Sequence, residues 1–149
     1  MQRLCGPLRR RLLSTSAASS LPAFAAVTNP LHKFFHILDG TSRDPLSSLF
    51  ASAARMHVVK AGLLLTGDEV DAWCARMQKT WNGAATLHTE GNIVLEAKEP
   101  GVIVNHSTWT ALVNGELISY GTHEDVLEEA ENGEWLFQRR VVRHLYAKA

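Results

Sequence analysis

The chain has 149 residues, room for one domain with a hydrophobic core and too little for two. Hydrophobic residues make up 46% and charged residues 20%, the balance of a folded globular domain, and no apolar run reaches the roughly eighteen residues a bilayer-spanning helix needs. The net charge of zero hides an asymmetry: before residue 31 the only charged residues are Arg3, Arg9, Arg10 and Arg11, so the remainder is acidic by about 4. Such a remainder lacks the clustered Lys and Arg that phosphate neutralisation requires, and no nucleic-acid partner is expected.

Met1 to Ser20 is rich in Arg, Ser, Ala and Leu and free of acids, the composition of a mitochondrial or plastid transit peptide. Arg3, Arg10 and Arg11 with Leu4, Leu8, Leu12 and Leu13 fit a basic amphipathic helix, and Arg11-Leu12-Leu13-Ser14 resembles a processing site. The dense arginines favour the mitochondrion, with the plastid as the alternative. Residues 1–27 are therefore assigned to a removable presequence and linker, and 28–149 to the folded domain. Removal of the presequence leaves Cys74 without an internal disulfide partner.

Thr28-Asn29-Pro30 reads as a helix start, and the helix carries Leu31, Phe34, Phe35 and Leu38 on one face before Gly40 ends it. Asp44-Pro45 begins a second short helix with Leu46, Leu49 and Phe50 inward. Met56 to Leu65 is apolar and β-branched enough for a strand. A third helix follows Thr66-Gly67-Asp68, with Val70, Trp73, Met77 and Trp81 recurring at helical steps. From Ala85 the period becomes two: Thr86–Lys98, Gly101–Val113, Glu116–Glu128 and Trp135–Tyr146 are four long strands. Two of their turns are Asn114-Gly115 and Asn132-Gly133, strong hairpin signals because both turn residues adopt positive φ. The order defines an α+β fold: a cone-shaped, curled antiparallel sheet, a β-meander, packed against three N-terminal helices.

Tight two-residue turns would place His106 opposite His123, Asp125 opposite Arg140 and His123 opposite Val142. One face would then carry His106, Thr108, Thr110, Ser119, His123, Asp125, Arg140 and His144. The other would carry Trp109, Ala111, Ile118, Tyr120, Phe137 and Val141, and the aromatic face is expected to be the packed one. A β-bulge would break this count.

Thr86-Leu87-His88 with Gly91-Asn92, Gly121-Thr122-His123-Glu124-Asp125, Asn132-Gly133-Glu134-Trp135 and Arg139-Arg140 resemble, in order and spacing, the meander motifs of the snoaL-like, nuclear-transport-factor-2-like superfamily that includes scytalone dehydratase and polyketide cyclases. The resemblance spans residues 30 to 146. It implies a cone fold, often dimeric through the sheet, with a pocket for a small, largely apolar molecule and, in some members, acid–base lyase or isomerase chemistry. Dehydratase relatives pair a carboxylate on the first helix with histidines on the meander. Here His88 matches one histidine, His36 stands at the carboxylate position with Asp39 one turn later, and the second histidine falls near Gly115 without an equivalent.

The resemblance thus nominates His88 and Asp39 as the catalytic pair, a neutral imidazole removing a proton while a carboxylate orients it. Phe34, Phe35, Asn92, His106, Trp109, His123 and Asp125 are the candidate ligand-binding residues. Each also has a plain structural reading: His88 as a hydrogen-bonded scaffold histidine, Asp125 with Arg140 as a cross-strand ion pair, the tryptophans as core. His106 facing His123 would be half a metal site, with no third ligand placed, so no metal is expected; no phosphate loop or dinucleotide fingerprint is present, so no cofactor is expected either. The competing reading is a non-catalytic dimerising or assembly subunit of a mitochondrial complex. An acid and His88 meeting in the cavity within hydrogen-bond reach would separate the two.

Overall fold

A computed structural model describes residues 23–149; the expected presequence, Met1 to Ser20, lies outside the described residues. The elements are α1 (Phe24–Leu38), β1 (Phe50–Val58), β2 (Leu63–Leu65), α2 (Asp68–Thr80), β3 (Thr86–Glu99), β4 (Val102–Val113), β5 (Glu116–Glu129) and β6 (Trp135–Ala147). Two α-helices are present among the described residues rather than three. Leu46–Leu49, expected as the second helix, is a single 3-10 turn that passes directly into β1. Its brevity follows from Pro45 in extended conformation before it and Phe50 in extended conformation after it.

α1 begins at Phe24, one turn ahead of the expected start at Thr28, so the last residues assigned to the linker are helical. Thr28 donates its hydroxyl to the Phe24 carbonyl within the helix instead of capping it, and Pro30 is carried inside the helix. α1 buries Val27, Leu31, Phe34, Phe35, Ile37 and Leu38. Burial of each large side chain among these contributes about 2 kcal/mol. The helix stops where Gly40 takes φ 74°, and the Thr41 N–H caps the His36 carbonyl.

Met56 to Leu65 is not one strand. Gly62 at φ 64° reverses the chain, and β1 and β2 pair antiparallel with Met56 opposite Leu65. The sheet is six-stranded, curled and open, in the order β2-β1-β6-β5-β4-β3, with β1 parallel to β6 and the β3–β6 meander antiparallel. α2 is fastened at its start by Glu69, whose carboxylate accepts from the Thr66 N–H and hydroxyl, and three acids in its first turn suit the helix dipole. Asp71 accepts from the Ser47 N–H and hydroxyl, and Gln78 donates to the Ile37 carbonyl at 2.7 Å. The Asp71 bonds tie α2 to the 3-10 turn and the Gln78 bond ties it to the end of α1, which is where Asp39 projects. Trp73 and Trp135 are buried as the alternating and helical patterns imply, and no helix of the described residues is long and apolar enough to cross a membrane.

The register of the meander decides what faces inward. Asn114-Gly115 is a tight turn, but β5 bulges at Ile118, between the pairs Ala111–Ser119 and Leu112–Leu117. Beyond the bulge every pairing slips by one: His123 faces Ser107, and His106 faces Glu124. Trp109 and Ala111 are thereby turned to the same side as His123 and Asp125, so the expected division into a polar face and an aromatic face does not hold. At the next hairpin the loop holds three residues, Glu131-Asn132-Gly133, with Ala130 and Glu134 hydrogen-bonded across it. An extra residue at Gln138, between the pairs Val126–Arg139 and Leu127–Phe137, restores the count, and Asp125 does face Arg140.

Candidate active site

Asp39 is the C-terminal cap of α1, an unfavourable place for a carboxylate against the helix dipole. It is held there by His88 of β3. One carboxylate oxygen accepts the His88 backbone N–H at 2.8 Å, and the other lies 2.5 Å from the His88 ring Nδ1. Burial would raise the Asp39 pKa, but the ring and backbone hydrogen bonds from His88 outweigh it and hold the carboxyl below its usual value. A carboxylate at Nδ1 places the proton on that nitrogen and leaves Nε2 with its lone pair. Nε2 of His88 has no hydrogen-bond partner among the described residues.

The pair stands on a partition. On one side is an open groove lined by His32, His36, Thr41 and Leu87; on the other is a small inner cavity of about 60 Å³ between α1, α2 and the sheet. His88 and Phe35 belong to both walls, with their rings stacked at 5.3 Å. The inner walls are mostly aromatic, Phe34, Trp73, Trp81 and Trp109, and the polar groups reaching them are His88, His123, His144 and Ser119.

Beneath the cavity lies a buried polar cluster. Arg140 has no exposed side-chain surface, and its guanidinium sits 4.2 Å from the Phe34 ring centroid and 4.6 Å from that of Phe137. Its Nη2 reaches Glu90 and His123 Nδ1, and its Nη1 lies 3.5 Å from Asp125. Glu90 also accepts from the Ser107 hydroxyl at 2.5 Å, and Asn105 donates to Asp125 at 2.9 Å. Two carboxylates thus share one guanidinium in a site without solvent. Burial opposes ionisation of both, but Arg140 and His123 bring Glu90 down to about 2, whereas burial dominates at Asp125 and pushes it up to about 7. Geometry alone would make Asp125–Arg140 an ion pair; the 3.5 Å separation and the competing Glu90 charge favour a protonated Asp125. Burial, then the charge of Arg140, lowers His123 to about 4, so its imidazole is neutral near pH 7.

The nominated residues divide accordingly. Asp39 and His88 meet, and Phe34, Phe35, Trp109 and His123 line the inner cavity. Asp125 is fully buried under it in the Arg140 cluster. Asn92 and His106 do not share that interior. Asn92 sits at φ 48° in an irregular stretch of β3 and donates to Thr108 on the exposed face, and the Ile118 bulge turns His106 outward. Glu90, Ser107, Asn105 and His144 were not nominated. Glu90 was within reach of alternation, two residues after His88 on one strand. Ser107 and Asn105 depended on the bulge. Glu90, His123 and Asp125 also present atoms within 4.8 Å of one another, but the Arg140 guanidinium already supplies the positive charge at two of these groups and contacts the third.

The model of the SnoaL-like domain matches residues 19–141, and the chain belongs to that family. Among solved structures it is similar to Aln2 from a Streptomyces species (TM-score 0.71, 20% identity, covering 81% of this chain and 89% of that one). It is also similar to a candidate scytalone dehydratase from Novosphingobium aromaticivorans (TM-score 0.65, 20% identity, 81% and 83% covered). A third is a type-3 hexachlorocyclohexane dehydrochlorinase, LinA, from Novosphingobium barchaimii (TM-score 0.72, 18% identity, 83% and 87% covered). At these identities the likeness is one of fold. No curated protein matches the chain.

Proposed function

We propose that this protein is a lyase or isomerase in which His88, oriented by Asp39, removes a proton from a small, largely apolar molecule held in the aromatic cavity. The observation that carries the reading is the Asp39–His88 pair: the carboxylate occupies both the backbone N–H and Nδ1 of His88, leaving Nε2 open beside an apolar wall. Proton removal by a positioned imidazole contributes about 10²- to 10⁴-fold in rate. A dehydratase and a dehydrochlorinase among the structural neighbours fit such chemistry, since both names describe elimination. The assembly-subunit reading has no comparable support.

A substrate-independent test uses 5-nitrobenzisoxazole, which opens to a coloured cyanophenolate when a base removes its ring proton. The wild type is expected to accelerate the opening, and His88→Gln to lose at least about 100-fold of that rate. Asp39→Asn is expected to lose a similar factor, because an amide donor at Nδ1 selects the wrong tautomer. Glutamine keeps a donor for Asp39, so His88→Gln should melt close to the wild type. Equal rates in wild type and His88→Gln, with a lowered melting temperature, would assign His88 to the scaffold.

Two companion proposals rest on other features. The basic, acid-free Met1 to Ser20 supports import into the mitochondrion. Exposed Leu87, Val94, Leu117, Tyr120 and Tyr146 on the sheet support pairing with a second copy through that surface.

A further inference from the structure

α1 carries two further histidines one turn apart, His32 and His36, that belong neither to the core nor to the Asp39–His88 pair. Both residues are exposed, and both line the open groove, a space of about 360 Å³. We propose that His32 and His36 form a binding site for one divalent transition-metal ion, zinc, nickel or copper, whose remaining coordination positions are filled by water in the groove.

Residues four apart on a helix share one face, with Cβ atoms about 5–6 Å apart, and two imidazoles at that spacing can close on a single ion. A ligating nitrogen must keep its lone pair, and at His36 the turn that ends α1 decides which nitrogen does. Thr41 Oγ1 lies 2.9 Å from the His36 carbonyl oxygen and 3.0 Å from His36 Nδ1. A hydroxyl has one hydrogen, and the close approach of the two oxygens requires it between them. Thr41 therefore accepts from Nδ1. The hydrogen of the neutral His36 ring sits on that nitrogen, and Nε2 holds the lone pair. A hydrogen bond donated by the opposite ring nitrogen is what orients metal-binding histidines and fixes their tautomer.

The charges around the pair favour a cation. Both histidines stand in the C-terminal half of α1, toward the negative end of its dipole. Asp39 lines the same groove, and despite burial the hydrogen bonds from His88 hold its carboxyl below the usual value. Its two oxygens are engaged by His88, so it supplies charge rather than a ligand. Lys33, between the two histidines in sequence, lines a separate groove with Asp44 and Trp135 and does not compete for the site. Two imidazole nitrogens completed by water suit zinc, nickel and copper, whereas magnesium and calcium call for oxygen donors.

Isothermal titration of the untagged protein with Zn²⁺ tests the site. The wild type is expected to take up one ion per chain, and His32→Ala and His36→Ala each to weaken that uptake at least tenfold. Alanine suits exposed helix positions, so both variants should melt close to the wild type. Thr41→Val removes the partner of Nδ1 and should weaken binding about tenfold. His106→Ala, at an exposed histidine on the outer face of the sheet, should leave it unchanged. In the ¹⁵N-labelled protein, Zn²⁺ should shift the Nε2 resonance of His36 while its Nδ1–H is retained. Absence of zinc uptake overturns the proposal. So does uptake that survives both alanine variants, which would move the ion to Glu90, His123 and Asp125. An affinity unchanged in Thr41→Val overturns the tautomer on which the site rests. None of these outcomes depends on whether His88 acts as a base.

Discussion

Asp125→Asn separates an ion pair from a buried neutral acid. With Asp125 pushed up to about 7 by burial, the folded protein keeps this carboxyl protonated where the unfolded chain, near 3.8, has lost it. A raised folded value means the stabilisation is complete below about pH 4 and is lost as pH rises through 7. Relative to the isosteric asparagine, which never titrates, the wild type should therefore match the variant at pH 4 and fall behind it as pH increases. The gap from 3.8 to about 7 corresponds to about 4 kcal/mol at most, at roughly 1.4 kcal/mol per pH unit. Urea unfolding of both proteins at half-unit steps from pH 4 to 8, taken as a difference, cancels contributions such as that of Glu90 that both proteins share. A wild type that gains on the variant as pH rises would mean an ionised Asp125 paired with Arg140, and the charge assignment of the cluster would fail.

Gly121→Ala should destabilise by roughly 3 kcal/mol in thermal or urea melts, since its Cβ would meet the Arg143 carbonyl oxygen at 1.8 Å and the Trp109 ring at 3.0 Å. Light scattering of the wild type should give the mass of two chains, and Tyr120→Lys should return it to one; a monomeric wild type rejects pairing through the sheet. Amino-terminal sequencing of the protein from its native organelle should begin between about Ser14 and Ala26, and recovery of an intact Met1 terminus would reject the presequence.

The strands were legible because alternation and Asn-Gly turns are local signals, whereas the helices were legible only in part. Leu46 and Leu49 are buried as a helical reading requires, yet three residues of spacing satisfy a 3-10 turn equally well. The hidden hairpin between β1 and β2 turns on Gly62, and a lone glycine in an apolar run does not announce a reversal. The site was half visible. Asp39 and His88 are 49 residues apart, and their meeting was suggested by family motifs rather than by periodicity. Asp125 opposite Arg140 came out right because two departures cancel: a longer loop at Asn132-Gly133 and an added residue at Gln138. At Ile118 nothing cancels, and one unsignalled residue moved Ser107, rather than His106, under His123.

That bulge is what makes the interior chemically uneven. Without it, the inward positions of β4 opposite His123 and Asp125 would be His106 and Val104, and Trp109 would face away. With it, Asn105, Ser107 and Trp109 point in, so the strand that brings hydrogen bonds for the buried carboxylates also brings an aromatic wall to the cavity. Trp109 can lie against β5 because its partner there, Gly121, has no side chain. The cost is a buried charge cluster that apolar residues would match for stability. Its one evident return is the grip on His123, whose Nδ1 meets both the Arg140 guanidinium and the Glu90 carboxylate.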